Sequence, residues 1–187
     1  MRARDESALV EVIDAFGERI TAVVAGILRD RDAVDDVVQT AFVKAWYRIA
    51  SFQGDSGLYT WLYRVAVNAA KDYIKSRRRR PMASLDDHAA GRLPSGAPPV
   101  LEGLERREAR LRVREAIGAL PERYRTVLAL RELEGLPYQQ IAEVLGLSLG
   151  TVESRLFRAR RRLARDLRRA GFATGTRGIE NDEGDEP

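Results

Sequence analysis

The residues of this chain best suited to act on a partner are arginines. Residues 154–169 read SRLFRARRRLARDLRR. A guanidinium presents a planar fork of donors that can grip guanine O6 and N7 or bridge phosphate oxygens. Taking Val152 as origin and 100° per residue, Leu156, Ala159, Leu163 and Leu167 cluster within about 80°. Ser154, Arg158, Arg161, Arg165 and Arg168 fall on the opposite side. The spacing therefore predicts a helix with one side in a core and the other coated with cations. Ser154 and Arg158 lie near its start, where base edges would be met. Arg161, Arg162 and Arg165 lie further along, where phosphates would be held. Phe157 lies off the core stripe, and contact with DNA or with a neighbouring helix would both suit it.

A second constellation lies at 61–75, WLYRVAVNAAKDYIK. Leu62, Val65, Ala69 and Tyr73 share one helix face. Arg64, Asn68, Lys71 and Lys75 fall within about 60° on the opposite face. Amide and cationic groups in one stripe, beside a loop that carries aromatics, suit single-stranded nucleic acid. An ordinary solvated helix face would give the same pattern, so this stripe alone does not decide the matter.

The elements that must position these groups are helices, because apolar residues recur at helical spacing almost throughout. Leu9, Val12, Ile13, Phe16, Ile20, Val23, Val24 and Ile27 mark a first helix. Val34, Val38, Phe42, Ala45 and Trp46 mark a second, with Asp32 as its expected cap and Trp46 expected in the core. SFQGDSGLYT at 51–60 reads as a loop. A third helix is expected over 60–77. The pattern dissolves in PMASLDDHAAGRLPSGAPPVLEG at 81–103, which reads as a flexible linker. Helical periodicity then resumes, with Pro121 placed for a helix start and Gly135 for a helix end. A short helix over 137–145, a turn at Gly146-Leu147-Ser148 and the arginine-coated helix, with Ser148 as its N-cap, fit helix-turn-helix geometry. The expected fold is all-α: two small helical domains, 1–80 and 104–171, joined by the 81–103 linker. An acidic tail, expected to be disordered, follows at 172–187.

Composition narrows the function classes. The chain has 187 residues, 44% of them hydrophobic and 32% charged, with no cysteine and a single histidine. Disulfides and thiolate metal sites are excluded, and a zinc site is not expected. No apolar run approaches the roughly 20 residues of a membrane span. The first residues, MRARDESALVEV, lack the apolar core of a signal peptide. A cytoplasmic location is expected. The net charge of +4 hides two arginine-rich blocks, at 77–80 and 158–169, and an acidic terminus. Cationic blocks that each end an amphipathic helix favour a polyanionic partner.

DAVDDVVQTAFVKAW, then FQGDSGLYTWLYRVAVNAAKDYIK, and after the linker LPERYRTVLALRELEGLPYQQIAEVLGLSLGTVESRLFRARRRL, together resemble an extracytoplasmic-function (ECF) sigma factor of the bacterial sigma-70 family, in the sigma-E-like group. The resemblance implies that the first module corresponds to sigma region 2 and the second to region 4. Around Asp36 and Gln39 it implies a surface that docks on the clamp helices of the β′ subunit of core RNA polymerase; the β subunit is a further implied partner. For Phe52, Gln53, Asp55, Ser56, Tyr59 and Trp61, with Arg64, Asn68, Lys71 and Lys75 of the helix that follows, it implies contact with the promoter −10 element. For Ser154, Arg155, Phe157, Arg158, Arg161, Arg162 and Arg165 it implies contact with the −35 element. An anti-sigma factor, in many relatives anchored in the inner membrane, and a role in stress or envelope responses are implied as well. The polymerase would perform the chemistry. No catalytic residue, metal, cofactor or small-molecule substrate is expected of this chain.

The sequence departs from the pattern in places. Thr40 stands where many relatives carry an acidic residue, and Trp61-Leu62 where primary sigma factors have two adjacent aromatics. Glu153, at the start of the arginine-coated helix, suits the helix dipole but repels phosphate; it could support the cap or accept from cytosine N4. Two other readings compete. One is a stand-alone helix-turn-helix regulator that binds duplex DNA without polymerase. The other is a nucleic-acid enzyme with Asp35, Asp36 and Asp55 as metal ligands, although adjacent helix residues such as Asp35 and Asp36 diverge by about 100°.

Overall fold

The computed structural model of the chain describes residues 6–49, 52, 57–79 and 100–172, with the side chains of 6, 8, 9 and 100–106 excepted. The helices are α1 (Glu6–Ile27), α2 (Val34–Arg48), α3 (Leu58–Arg79), α4 (Val100–Ala119), α5 (Glu122–Leu128), α6 (Tyr138–Leu145) and α7 (Leu149–Arg169). Helix α5 runs directly into a π-helical turn, Ala129–Leu133. Among the described residues there is no strand. Leu9, most of the 81–103 segment and the tail beyond 172 lie outside the described residues or side chains.

The first three helices form one unit, with α2 packed on α1 and α3. Val12, Ile20, Val23, Val24 and Ile27 of α1 are buried, as their spacing predicts, but Ile13 is 39% exposed. Asp32 does not cap α2. The N-cap position is Ala33, with no side-chain bond, because the Arg31 carbonyl already accepts from Val34 N–H at 3.2 Å and leads the chain into the helix. Helix α3 starts at Leu58, two residues before the expected position, so Tyr59 belongs to its first turn rather than to the loop. Its burial is also wider than a single stripe. Beside Leu62, Val65 and Ala69, it buries Tyr63, Ala66, Val67 and Ala70. The second face is covered by α6, from the other end of the chain.

Helix α4 begins at Val100, inside the segment expected to be linker. Pro121 then occupies the N-cap of α5 at φ −55°, the angle its ring imposes. The π turn ends at Gly135, whose φ of +67° a side chain would strain. Leu136 N–H reaches back to the Leu130 carbonyl at 3.1 Å. After α6 the chain reverses at Gly146, φ +64°. Ser148 caps α7, its Oγ accepting from Thr151 N–H at 3.3 Å. A cap of this kind contributes about 1 kcal/mol.

The two modules share a continuous hydrophobic core. Helix α1 packs on α5 and the π turn. A Cβ added at Gly26 would stand 2.9 Å from Ala129 Cβ and 2.9 Å from a methyl of Leu133, so the glycine sets the closeness of this crossing. Arg125 is buried in the same seam and donates to the carbonyls of Ile27 (2.8 Å), Gly118 (3.2 Å) and Leu120 (2.5 Å). Its burial pulls the guanidinium below its ordinary value, helped by the nearby Arg29 cation. Arg29 Nε itself donates to the Gly118 carbonyl.

Candidate nucleic-acid interface

The first three turns of helix α7 divide as the sequence predicts, whereas Leu163 and Leu167, expected in the same core stripe, are only half-buried. Val152, Leu156 and Ala159 are buried against the rest of the second module. Ser154, Phe157, Arg158, Arg161, Arg162 and Arg165 are exposed, and Arg155 is half-buried. Phe157 is 55% exposed, which places it on the outer face rather than against a neighbouring helix. Ser154 Oγ donates to the Thr151 carbonyl at 3.1 Å, so its oxygen keeps acceptor capacity for an incoming group. Arg165 makes a loose pair with Asp166 at 3.3 Å. Glu153 is exposed beside this row.

Two supports of this face escaped the sequence reading. Arg160 does not join the outward row. It donates to Glu132 through Nη2 at 2.7 Å and Nε at 3.0 Å, and to the Tyr138 hydroxyl at 3.3 Å. Those bonds, the one with Glu132 foremost, raise its affinity for the proton and brace α7 against the π turn and α6. Tyr124 is the other. The guanidinium carbons of Arg123 and Arg162 lie 4.9 Å and 5.1 Å from its ring centre. A hydrogen bond from Arg123 is the main cause that pulls its phenol below the ordinary value, with Arg158 acting the same way. Stacking on an aromatic face holds an arginine with its fork free at the edges.

The stripe on α3 is only partly open. Asn68 and Lys75 are exposed and Lys71 half-exposed. Arg64, by contrast, donates through Nη2 to the Glu143 carbonyl of α6 at 2.9 Å. Trp61 is half-buried and meets Phe52 with ring centres 5.5 Å apart. Tyr59 is engaged on several sides: 5.5 Å from the Phe16 ring, 4.5 Å from the Tyr63 ring and 4.5 Å from the Arg19 guanidinium. Gln53, Asp55 and Ser56 lie outside the described residues.

On the far side of the first module, α1 and α2 border an open groove of about 530 Å³. Asp35, Gln39, Val43 and Tyr47, four apart along α2, line it together with Ile13 and Gly17 of α1. Val43 and Tyr47 are 48% and 64% exposed. Gln39 thus lies in the groove as its neighbours' pattern suggests, whereas Asp36 is exposed without lining it. The i, i+4 spacing of 35, 39, 43 and 47 was the available signal for this stripe. Trp46, expected in the core, is half-buried in the groove wall instead, because its position on α2 turns it toward this opening rather than toward α3. No helix among the described residues is long and apolar enough to cross a membrane. No group of three His, Cys, Asp or Glu side chains among them is placed to hold a metal ion; Asp55 lies outside them.

Comparison with known proteins accounts for both modules at once. Residues 12–80 match the family model for sigma-70 region 2, and residues 110–163 that for sigma-70 region 4. The chain is 38% identical over 173 residues to RNA polymerase sigma-H factor of Pseudomonas aeruginosa, covering 87% of this chain and 88% of that protein. It is 41% identical over 164 residues to ECF RNA polymerase sigma-E factor of Escherichia coli K12, covering 83% and 84%. Among solved structures it resembles CnrH in complex with the cytosolic domain of CnrY, with a TM-score of 0.66 at 27% identity, covering 90% of this chain and 92% of that one. The sigma factor RpoE of Bartonella quintana, solved with the anti-sigma factor NepR, shares the fold, with a TM-score of 0.64 at 24% identity, covering 87% and 96%. A stand-alone regulator would leave the region 2 match unexplained. With both regions present in order over most of its length, the chain belongs to the ECF group of the sigma-70 family of RNA polymerase sigma factors.

Proposed function

We propose that this chain joins core RNA polymerase in the cytoplasm and directs it to promoters by reading two separated elements, without catalysing a step itself. The observation that carries this reading is the exposed arginine row of α7, mounted on a capped helix-turn-helix and backed by a buried stripe. Ser154, Arg155, Phe157 and Arg158 meet the base edges of the −35 element, and Arg161, Arg162 and Arg165 hold its phosphates. Residues 52–59 and Trp61, with Arg64, Asn68, Lys71 and Lys75, take the −10 strand. The α1–α2 groove, with Gln39 inside and Asp36 nearby, receives the β′ clamp helices; its exposed Val43 and Tyr47 supply an apolar contact that two polar residues alone would lack. The β subunit contacts the second module.

Residues 1–80 and 104–171 act as the two promoter-reading units, and the segment between them sets their reach. Control by an anti-sigma factor is supported by the relative solved with the anti-sigma factor NepR; an inner-membrane anchor for that partner and a part in a stress or envelope response belong to the same reading. The test is in vitro transcription with core polymerase and a genomic fragment library. Transcripts that start at a common two-element promoter only when the chain is added support the reading; no chain-dependent start would overturn it.

A further inference from the structure

The junction between the modules contains a group for which promoter reading has no use. Glu134, just after the π turn, has a side chain only 4% exposed. One of its oxygens, Oε2, accepts from Arg19 Nε at 2.9 Å, from the Tyr59 hydroxyl at 2.9 Å and from the Tyr63 hydroxyl. The two hydroxyls are 2.9 Å apart. A buried carboxylate needs this many donors, since taking an anion out of water costs several kcal/mol unless it is fully bonded. Arg19, Tyr59 and Tyr63 therefore already form a site for an anionic oxygen, and the second module fills it. The next turn of α3 is held likewise, Arg64 against the Glu143 carbonyl. Asn68 and Lys75, further along, are open, as is the arginine row of α7. The packed arrangement thus covers the start of the −10 stripe and leaves the −35 reader free.

We propose that Arg19, Tyr59 and Tyr63 form a phosphate site for the −10 single strand, and that Glu134 occupies it as an internal stand-in, latching the two modules together until the strand displaces it. The inference rests on the promoter-reading assignment above. A phosphodiester oxygen matches the carboxylate oxygen in charge and acceptor character, and the donors are a cation and two hydroxyls, the set that accepts either. Exchange requires the modules to part at the Gly26–Ala129 crossing, at Arg125–Ile27 and at Arg64–Glu143. Promoter capture and opening are then one linked equilibrium, in which whatever weakens the latch strengthens the strand.

Two full-length variants open the latch by different physics. Glu134→Gln removes the charge while keeping the shape, and Gly26→Leu drives a side chain into Ala129 and Leu133. Small-angle scattering reads compactness, and anisotropy of fluorescein-labelled oligo(dT) reads single-strand binding. Both variants are expected to increase the radius of gyration and to tighten oligo(dT) binding about tenfold, the worth of one charge-assisted hydrogen bond no longer spent internally. Adding Arg19→Ala to Glu134→Gln is expected to reverse the tightening while leaving the expansion. No expansion in either variant would overturn the latch. Expansion without tightening, or tightening that survives Arg19→Ala, would overturn the phosphate site. Transcription with core polymerase judges the promoter-reading assignment separately: an active parent chain beside variants unresponsive in scattering and oligo(dT) binding sinks the latch alone, and no activity in the parent chain or in any variant sinks the assignment itself.

Discussion

Arg125→Ala is expected to destabilise the fold by about 3 kcal/mol. The guanidinium is buried between the modules and serves the carbonyls of Ile27, Gly118 and Leu120. Gly118 keeps a second donor in Arg29, so two carbonyls lose this donor. At about 1–3 kcal/mol for each unsatisfied buried acceptor, the loss is roughly 2–6 kcal/mol. Relief of the desolvation cost of a buried cation offsets part of it, and the stem's lost packing adds some back. The net loss then lies in the lower half of that range, at about 3 kcal/mol. For a chain of this length it corresponds to a fall in Tm of about 6–12 °C, read by circular dichroism, with urea denaturation as the second measure. Arg125→Lys keeps the charge but not the fork, reaches one carbonyl at most, and is expected to recover less than half of the loss. A loss below about 1 kcal/mol for the alanine variant would refute the claim that Arg125 fastens α1 to the second module.

Three further outcomes are expected. Arg158→Ala should change −35 sequence preference by about 1–3 kcal/mol of discrimination, whereas Arg165→Ala should weaken all sequences evenly and flatten the salt dependence; competition binding over a salt series separates the two. Gln39→Ala combined with Tyr47→Ala should weaken association with core polymerase at least as much as Asp36→Ala with Gln39→Ala, measured by fluorescence titration, with helical content unchanged. Tyr63 is held neutral by burial and by the Glu134 carboxylate, so its phenol titrates above the ordinary 10.0. The folded value exceeds the unfolded one, so this contribution is whole below pH 10.0 and falls as pH rises past it. Tyr63→Phe should therefore show a shallower loss of stability at alkaline pH than the parent chain.

How much of this was legible in the sequence depends on whether a feature lives within one helix or between distant ones. The division of α7 into a Val152–Leu156–Ala159 core stripe and an arginine face follows from a 3.6-residue period, and the structure keeps it. Ser148 as cap and the glycines at the two helix ends follow from local backbone chemistry and are also kept. Asp32 failed as a cap because the preceding turn already supplied a backbone partner for Val34. The inner face of α3 was legible, but its second buried face was not, because α6 supplies the cover from some 80 residues away. Glu134 reads as one more surface glutamate until Arg19, 115 residues earlier, is seen beside it. Arg125 and Arg160 were hidden among arginines of identical type; only the carbonyls around one and Glu132 beside the other set them apart. Composition marks a cation as available, but tertiary contact decides whether it faces DNA or its own backbone.

The most direct test of the central claim is run-off transcription by core polymerase and the intact chain on a promoter recovered from the fragment library. The distance between its −10 and −35 elements is varied one base pair at a time. Two reading units held by one polymerase should give initiation that depends on the chain, peaks at one spacing, falls steeply on either side and drops with Arg158→Ala. Equal initiation at every spacing, or tight duplex binding by the chain with no effect on the polymerase, would contradict the account.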